Sequence, residues 1–197
     1  GLTVINEKRG ESYSQSSSGA GDGIIESSGS VKYYTKDYIS EEMIGDIRGM
    51  WPLNNANSAS DFEDVSIKAN TLTGTNITAA GDSVSGVRGT ATDFDGSTES
   101  LTRADDADLD FAASENFSLG IWFKHNGVIA TNPDYLITKA DTSTGGYKLD
   151  MNASGAICFD IDDDATFTPD DQACTTTRHD DSQWHHVVAV KNATTSI

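Results

Sequence analysis

The chain has 197 residues, 36% of them hydrophobic, with 13 Lys and Arg against 31 Asp and Glu and a formal net charge of -18. A surface of that sign repels a phosphate backbone, and no basic patch interrupts it, so nucleic acid is excluded as a partner. No apolar run approaches the roughly 20 residues a helix needs to cross a bilayer, so insertion of that kind is excluded too.

Residues 1 to 49 read as a Ser/Gly-rich extension. GESYSQSSSGAGDG and ESSGS have no periodic apolar face and suit a linker or a segment ordered by a partner. Inside it, Leu2 to Ile5 and Val31 to Ile39 have the β-branched and aromatic character of strands. Ser40, Glu41 and Glu42 ahead of Met43, Ile44 and Ile47 predict one helical turn, kept short by Gly45 and Gly49. The N-terminus lacks the charged and apolar regions of a signal peptide, so the chain is expected to be soluble as it stands or already processed.

From Met50 onward, short apolar or alternating runs are separated by Gly, Asn, Asp and Ser clusters, the pattern of an all-β antiparallel sandwich or barrel. The predicted strands are MWPL, TLTGT, ATDFDG, ESLTRA, FSLGIWFKH, DYLITKA, YKLDMN, AICFDID, ACTTTR and HHVVAVKN. In FSLGIWFKH the alternation puts Phe117, Leu119, Ile121 and Phe123 on one face and Trp122 on the other, which predicts a central strand covered on both sides. Adjacent His185 and His186 point to opposite faces of their strand and cannot jointly hold one metal.

Cys158 and Cys174 flank an acidic, Pro-containing stretch that reads as a long hairpin loop, so they can face each other on paired strands. A disulfide, with an oxidising exported location, is one reading; two inert core thiols are the other. Asp162, Asp163 and Asp164 with Asp170 in that loop could gather oxygen ligands for calcium, or could simply be a solvated acidic loop. Catalytic signatures are missing. No strand reads E-x-D-x-E, Glu63, Glu99 and Glu115 stand alone, and there is no G-x-S-x-G.

The order MWPLNN, EDVSIKANTLTGT, GVRGTATDFDGSTESLTRADDADLDF, NFSLGIWFKH, YLITKADTSTGGYKLDMNASGAICFDI and DSQWHHVVAVKN resembles the LamG-like jelly-roll family of the concanavalin A-like superfamily, whose relatives include laminin G modules and pentraxins. The resemblance runs from about Met50 to Asn192 and implies an antiparallel jelly-roll β-sandwich over residues 50 to 197. It implies that Trp51, Trp122 and Trp184 are core aromatics, and that Phe94 faces inward ahead of a tight Asp95-Gly96 turn. Pentraxin-like relatives bind calcium through an Asp and Asn pair before the strand that here reads DYLITK, which transfers to Asn132 and Asp134. Two departures stand out. Asp64 is followed by VSIKAN rather than a Gly/Asn-rich loop, which weakens a metal role there. After WHHVVAV the family continues with a strand resembling LYVDG, so the resemblance implies further sandwich strands, either beyond Ile197 or lent by Leu2 to Ile5, by Val31 to Ile39 or by a neighbouring subunit.

Together these readings lead to an expected function: a non-enzymatic extracellular binding or adhesion module for glycans or a cell surface, located extracellularly or on a cell or virion surface. The alternative is a structural subunit of a surface filament, sheath or virion that self-associates through its N-terminal segment. A glycoside hydrolase comes third.

Overall fold

The computed structural model describes residues 45–54, 61–78, 81–127, 133–141, 145–164 and 168–193. The strand-like Leu2 to Ile5 and Val31 to Ile39, and the candidate ligand Asn132, lie outside the described residues. The chain divides into two compact units, one formed by residues 1–52 with 61–73 and the other by residues 53–60 with 74–197.

In the first unit, β1 (Asp61–Phe62) pairs antiparallel with the start of β2 (Leu72–Thr75), with Phe62 opposite Leu72. The loop between them is folded around one carboxylate. Asp64 Oδ1 accepts from the Met50 and Ser66 amides (2.7 and 2.8 Å), and Oδ2 accepts from the Asn70 amide and the Ser66 hydroxyl (2.7 and 2.8 Å). Burial pushes the Asp64 pKa up, but the hydrogen bonds from Met50, Ser66 and Asn70 outweigh it and hold it below the ordinary aspartate value. This explains why MWPL is not a strand, contrary to expectation. Pro52 has no amide to give a ladder, Leu53 sits at φ 53°, and Met50 pairs with the Asp64 side chain and the Val65 amide. The described part of the expected helical turn, Gly45 and Asp46, is helical.

The second unit contains the hairpin strands β3 (Ser83–Ser85) and β4 (Thr90–Thr92), then β5 (Ser100–Thr102) and a 3-10 turn at Ala107–Leu109. Asp106 caps that turn by accepting from the Asp108 amide. The longer strands follow: β6 (Phe117–Lys124), β7 (Asp134–Asp141), β8 (Gly145–Met151), β9 (Ile157–Asp162), β10 (Asp171–Cys174) and β11 (Trp184–Lys191). They form an antiparallel sheet in the order β10-β9-β8-β7 and an antiparallel β11-β6 pair. The chain is thus an all-β jelly-roll sandwich.

The core follows from alternation. Tyr147, Leu149 and Met151 of β8 and Ile157 and Phe159 of β9 face Phe123 of β6 and Ala189 of β11, with Phe117, Leu119 and Ile121 packed around them. Leu149 and Met151 are 1% and 0% exposed, each stabilising the fold by about 1.5–3 kcal/mol through burial. Phe111 stacks on Phe117 at 4.2 Å, Tyr147 tilts against Phe117 at 5.1 Å, and Phe159 meets it edge-on at 5.9 Å. The Tyr147 hydroxyl donates to the Leu109 carbonyl (3.1 Å), and burial pushes its pKa up to about 12. The close approach of β8 to β7 depends on glycine: Gly146, opposite Ala140, has φ 136°, and a Cβ there would lie 2.0 Å from the Lys139 carbonyl oxygen.

Two inferences from the resemblance need correction. Trp122 is not a core aromatic. It is 51% exposed on the outward face of β6, stacked at 4.9 Å on its register partner His186. Period-2 alternation turns it away from Phe123, and among the described residues the β11-β6 pair has a core on one face only. Phe94 is 41% exposed rather than inward-facing. The turn itself forms as expected, with Gly96 at φ 71° and the Asp95 carboxylate accepting from the Ser97 and Thr98 amides (both 2.8 Å). Trp51 is half-buried and donates from Nε1 to the Asn70 carbonyl (2.7 Å). His185 lies against Phe123 and His186 against Trp122, on opposite faces as expected.

Candidate functional site

The alternation that aims Tyr147, Leu149, Met151, Ile157 and Phe159 into the core turns their neighbours to the other side of the four-stranded sheet. Lys148 and Asp150 of β8 and Cys158, Asp160 and Asp162 of β9 therefore share one face. Register brings them together: Lys148 is opposite Asp160, Asp150 opposite both Cys158 and Tyr135, and Gln172 and Cys174 of β10 opposite Asp160 and Cys158.

This face is polar, and its two central carboxylates are buried. Asp150 is 3% exposed and Asp160 1%. Lys148 Nζ stands 2.9 Å from Asp160 Oδ2 and 3.4 Å from Asp150 Oδ2, while Gln172 Nε2 donates to Asp160 Oδ1 (2.8 Å). The Lys148 ammonium also lies 5.9 Å from the centre of the exposed Tyr135 ring. A cavity of about 190 Å³ opens over the cluster, lined by Pro133, Lys148, Asp150, Asn152, Asp160 and Gln172 among others. Burial raises the Asp150 pKa, and the nearby Lys148 charge only partly offsets it. Burial also works against the Lys148 charge, but the bond to Asp160 and the charges of Asp160 and Asp150 outweigh it and raise the Lys148 pKa.

Cys158 lines the same cavity. The Thr175 amide donates to the Ile157 carbonyl (2.8 Å), so the next pair along, Cys158 and Cys174, is a non-hydrogen-bonded pair, the closer of the two kinds. Their Cα atoms are 4.1 Å apart and the sulfurs are bonded, joining β9 to β10. The separation falls just below the roughly 4.4–6.8 Å usual for disulfides, as direct opposition in such a pair dictates. Asn152 Nδ2 donates to Cys158 Sγ (3.3 Å), and its Oδ1 accepts from the Ser154 and Ala156 amides, shaping the β8–β9 turn.

The candidate calcium ligands fall into two places. Asp134 opens β7 opposite Met151, at one end of β8, and its Oδ2 is paired with His125 Nε2 (2.9 Å). Asp162 closes β9 opposite Gly146, at the other end, with Asp163, Asp164 and Asp170 in the loop beyond it. Among the described residues, neither Asp162 carboxylate oxygen has a hydrogen-bond partner, although the residue is 3% exposed. Burial, followed by the charges of Asp164, Asp170 and Asp163, raises its pKa, and the hydrogen bond with Asp170 raises that of Asp163. Among the described residues, no group of three or more His, Cys, Asp or Glu is placed to hold a metal ion.

Lys148, Asp150, Asp160 and Gln172 do not stand out as a site in the sequence. Their signal is the alternation of charge with apolar residues in YKLDMN and CFDID, which marks polar residues on one face of two strands; it does not say that the strands are neighbours.

A profile described as the concanavalin A-like lectin/glucanases superfamily matches residues 95–197, just over half of the chain. Searches of curated proteins and of solved structures found no match. The matched residues hold β5 to β11, among them every strand of the β10-β9-β8-β7 sheet, of the β11-β6 pair and of the polar groove. The chain belongs to the concanavalin A-like lectin/glucanases superfamily.

Proposed function

We propose that the chain is a non-catalytic extracellular module that binds a glycan or a cell-surface ligand in the groove on the polar face of the four-stranded sheet. The superfamily supports a carbohydrate- or ligand-binding module in general. The observation carrying the finer reading is the groove itself: carboxylates and amides converge on its floor, and the exposed Tyr135 ring, 5.9 Å from the Lys148 ammonium, adds an apolar platform beside them, the mix that polyhydroxylated ligands use. A net charge of -18 favours neutral over acidic glycans. The absence of catalysis is supported by Lys148, which bridges Asp150 and Asp160 and leaves neither carboxylate free to attack beside a protonated partner. Calcium enters the proposal at the β9–β10 loop, where the two unpartnered oxygens of Asp162 are hard donors and Asp163, Asp164 and Asp170 lie close by; Asp134 is engaged by His125.

The test is titration of the purified chain against neutral and acidic oligosaccharides on a glycan array, followed by calorimetry. Tyr135→Ala and Gln172→Ala, both on exposed residues, are expected to weaken binding about tenfold or more while leaving the fold intact. Binding that both variants leave unchanged would move the site elsewhere. A self-assembling structural subunit is the second reading. It is favoured by the outward face of β6 and β11, where Ser118, Gly120, Trp122, His186, Val188 and Val190 carry no carboxylate in an otherwise acidic chain. Light scattering that shows a defined oligomer would support it.

A further inference from the structure

Lys148 is held between two buried carboxylates, on a strand directly opposite one of them. Its Nζ is 2.9 Å from Asp160 Oδ2 and 3.4 Å from Asp150 Oδ2, with side-chain exposures of 15% for the lysine and 1% and 4% for Asp160 and Asp150. The other Asp160 oxygen, Oδ1, accepts from Gln172 Nε2 (2.8 Å). An amine, a carboxyl, a second carboxyl able to carry protons and a donor to the carbonyl oxygen are the four parts of amide formation. Here they meet where water has limited access.

We propose that Lys148 and Asp160 condense into an intramolecular amide that joins β8 to β9, with Asp150 as the proton carrier and Gln172 as the donor to the oxygen that stays. The Lys148 ammonium gives a proton to Asp150, whose carboxylate burial makes a better base than an ordinary aspartate. The freed nitrogen lone pair attacks Asp160 Cγ, the new N–C bond forms, and the C=O electron pair moves onto Oδ1, where Gln172 donates to the developing charge. Asp150 returns its proton to Oδ2, takes a second proton from the nitrogen and passes that one to Oδ2 as well. The C–Oδ2 bond then breaks and water leaves. An ammonium and a carboxylate become one amide and one water, and Asp150 ends as the carboxylate it began as. No oxidant, reductant or energy source is consumed. Condensation that is unfavourable between free molecules is driven here by proximity, since well-oriented groups reach effective concentrations of about 10⁵ M or more. It also removes a buried charge pair that is costly to keep out of water. With the Cys158–Cys174 bridge, β8, β9 and β10 become one covalently linked sheet.

Mass spectrometry of the full chain, denatured, decides the matter without depending on any variant folding. The expected mass is one water below that of the disulfide-bonded sequence. After reduction, alkylation and trypsin, residues 140–178 are expected as a single peptide, one water light and uncut at Lys148, because an acylated lysine is not a trypsin site. Full mass with cleavage after Lys148 overturns the proposal. So does loss of water with cleavage after Lys148, the mark of a cyclic imide at an aspartate. Lys148→Arg is expected to restore the full mass, and Asp150→Ala to restore both the mass and the cleavage; an unchanged bond in Asp150→Ala would remove Asp150 from the chemistry.

Discussion

Replacing Asp64 should loosen the described part of the first compact unit. The carboxylate accepts four hydrogen bonds, and one of them comes from the amide of Asn70, a residue that is 0% exposed. Leaving a buried amide without its charged acceptor costs about 2–3 kcal/mol, whereas the part-buried donors of Met50 and Ser66 regain water at a smaller cost, so Asp64→Ala is expected to destabilise the unit by about 3–4 kcal/mol. Asp64→Asn keeps the shape but turns one oxygen into an NH₂ facing two donors, and should cost about half to two-thirds as much. The readout is hydrogen exchange at amides whose partners are untouched: that of Val65, which donates to the Met50 carbonyl, and those of the β1–β2 pair. At about 1.4 kcal/mol per tenfold, exchange there should quicken by roughly a hundredfold or more in Asp64→Ala. A change below about threefold would refute the idea that this carboxylate organises the loop.

Other outcomes follow from the same structure. Labelling under denaturing, non-reducing conditions should find no free thiol. Removing the Cys158–Cys174 bridge, with a sequence separation of 16, should cost about 3 kcal/mol in urea unfolding. Asp150, Asp162 and Asp163 have folded pKa values raised above 3.8, so their ionisation opposes folding and stability is gained as pH falls from neutral; Asp64, Asp180 and Asp181 are lowered, so their contribution is lost only as pH falls below 3.8. The melting temperature should therefore rise as pH falls through their folded values towards about pH 4 and drop below it, and a steady fall on the approach to pH 4 would contradict this assignment. Calcium should raise the melting temperature and Asp162→Asn should abolish the rise, since a ligand held only by the native state stabilises it; an unchanged melting temperature takes calcium out of the proposal. Trp122→Ala, at an outward-facing position, should cost less than about 1 kcal/mol, and a core-sized loss of about 3 kcal/mol would show that something covers this face.

What could be read from the chain alone was whatever depends on neighbours in sequence. Strands β6, β8, β9 and β11 were legible because side chains alternate with period two, and FSLGIWFKH, YKLDMN, AICFDID and HHVVAVKN each carry an apolar residue at every second position. The same rule put His185 and His186 on opposite faces, and the family pattern named the two-sheet packing. What depends on register between distant strands was not legible. The pairing of β6 with β11, which joins Phe117 to Lys191, left Trp122 outside and not in a second core layer. MWPL looked like a strand because its residues are apolar, but a carboxylate 14 positions away from Met50 supplied its hydrogen bonds in place of a ladder. The Lys148, Asp150, Asp160 and Gln172 cluster comes from three strands whose charges are unremarkable singly. Only the antiparallel pairing of β8, β9 and β10 sets them within hydrogen-bonding distance and buries Asp150 and Asp160, because a one-residue slip would have sent each to the opposite face.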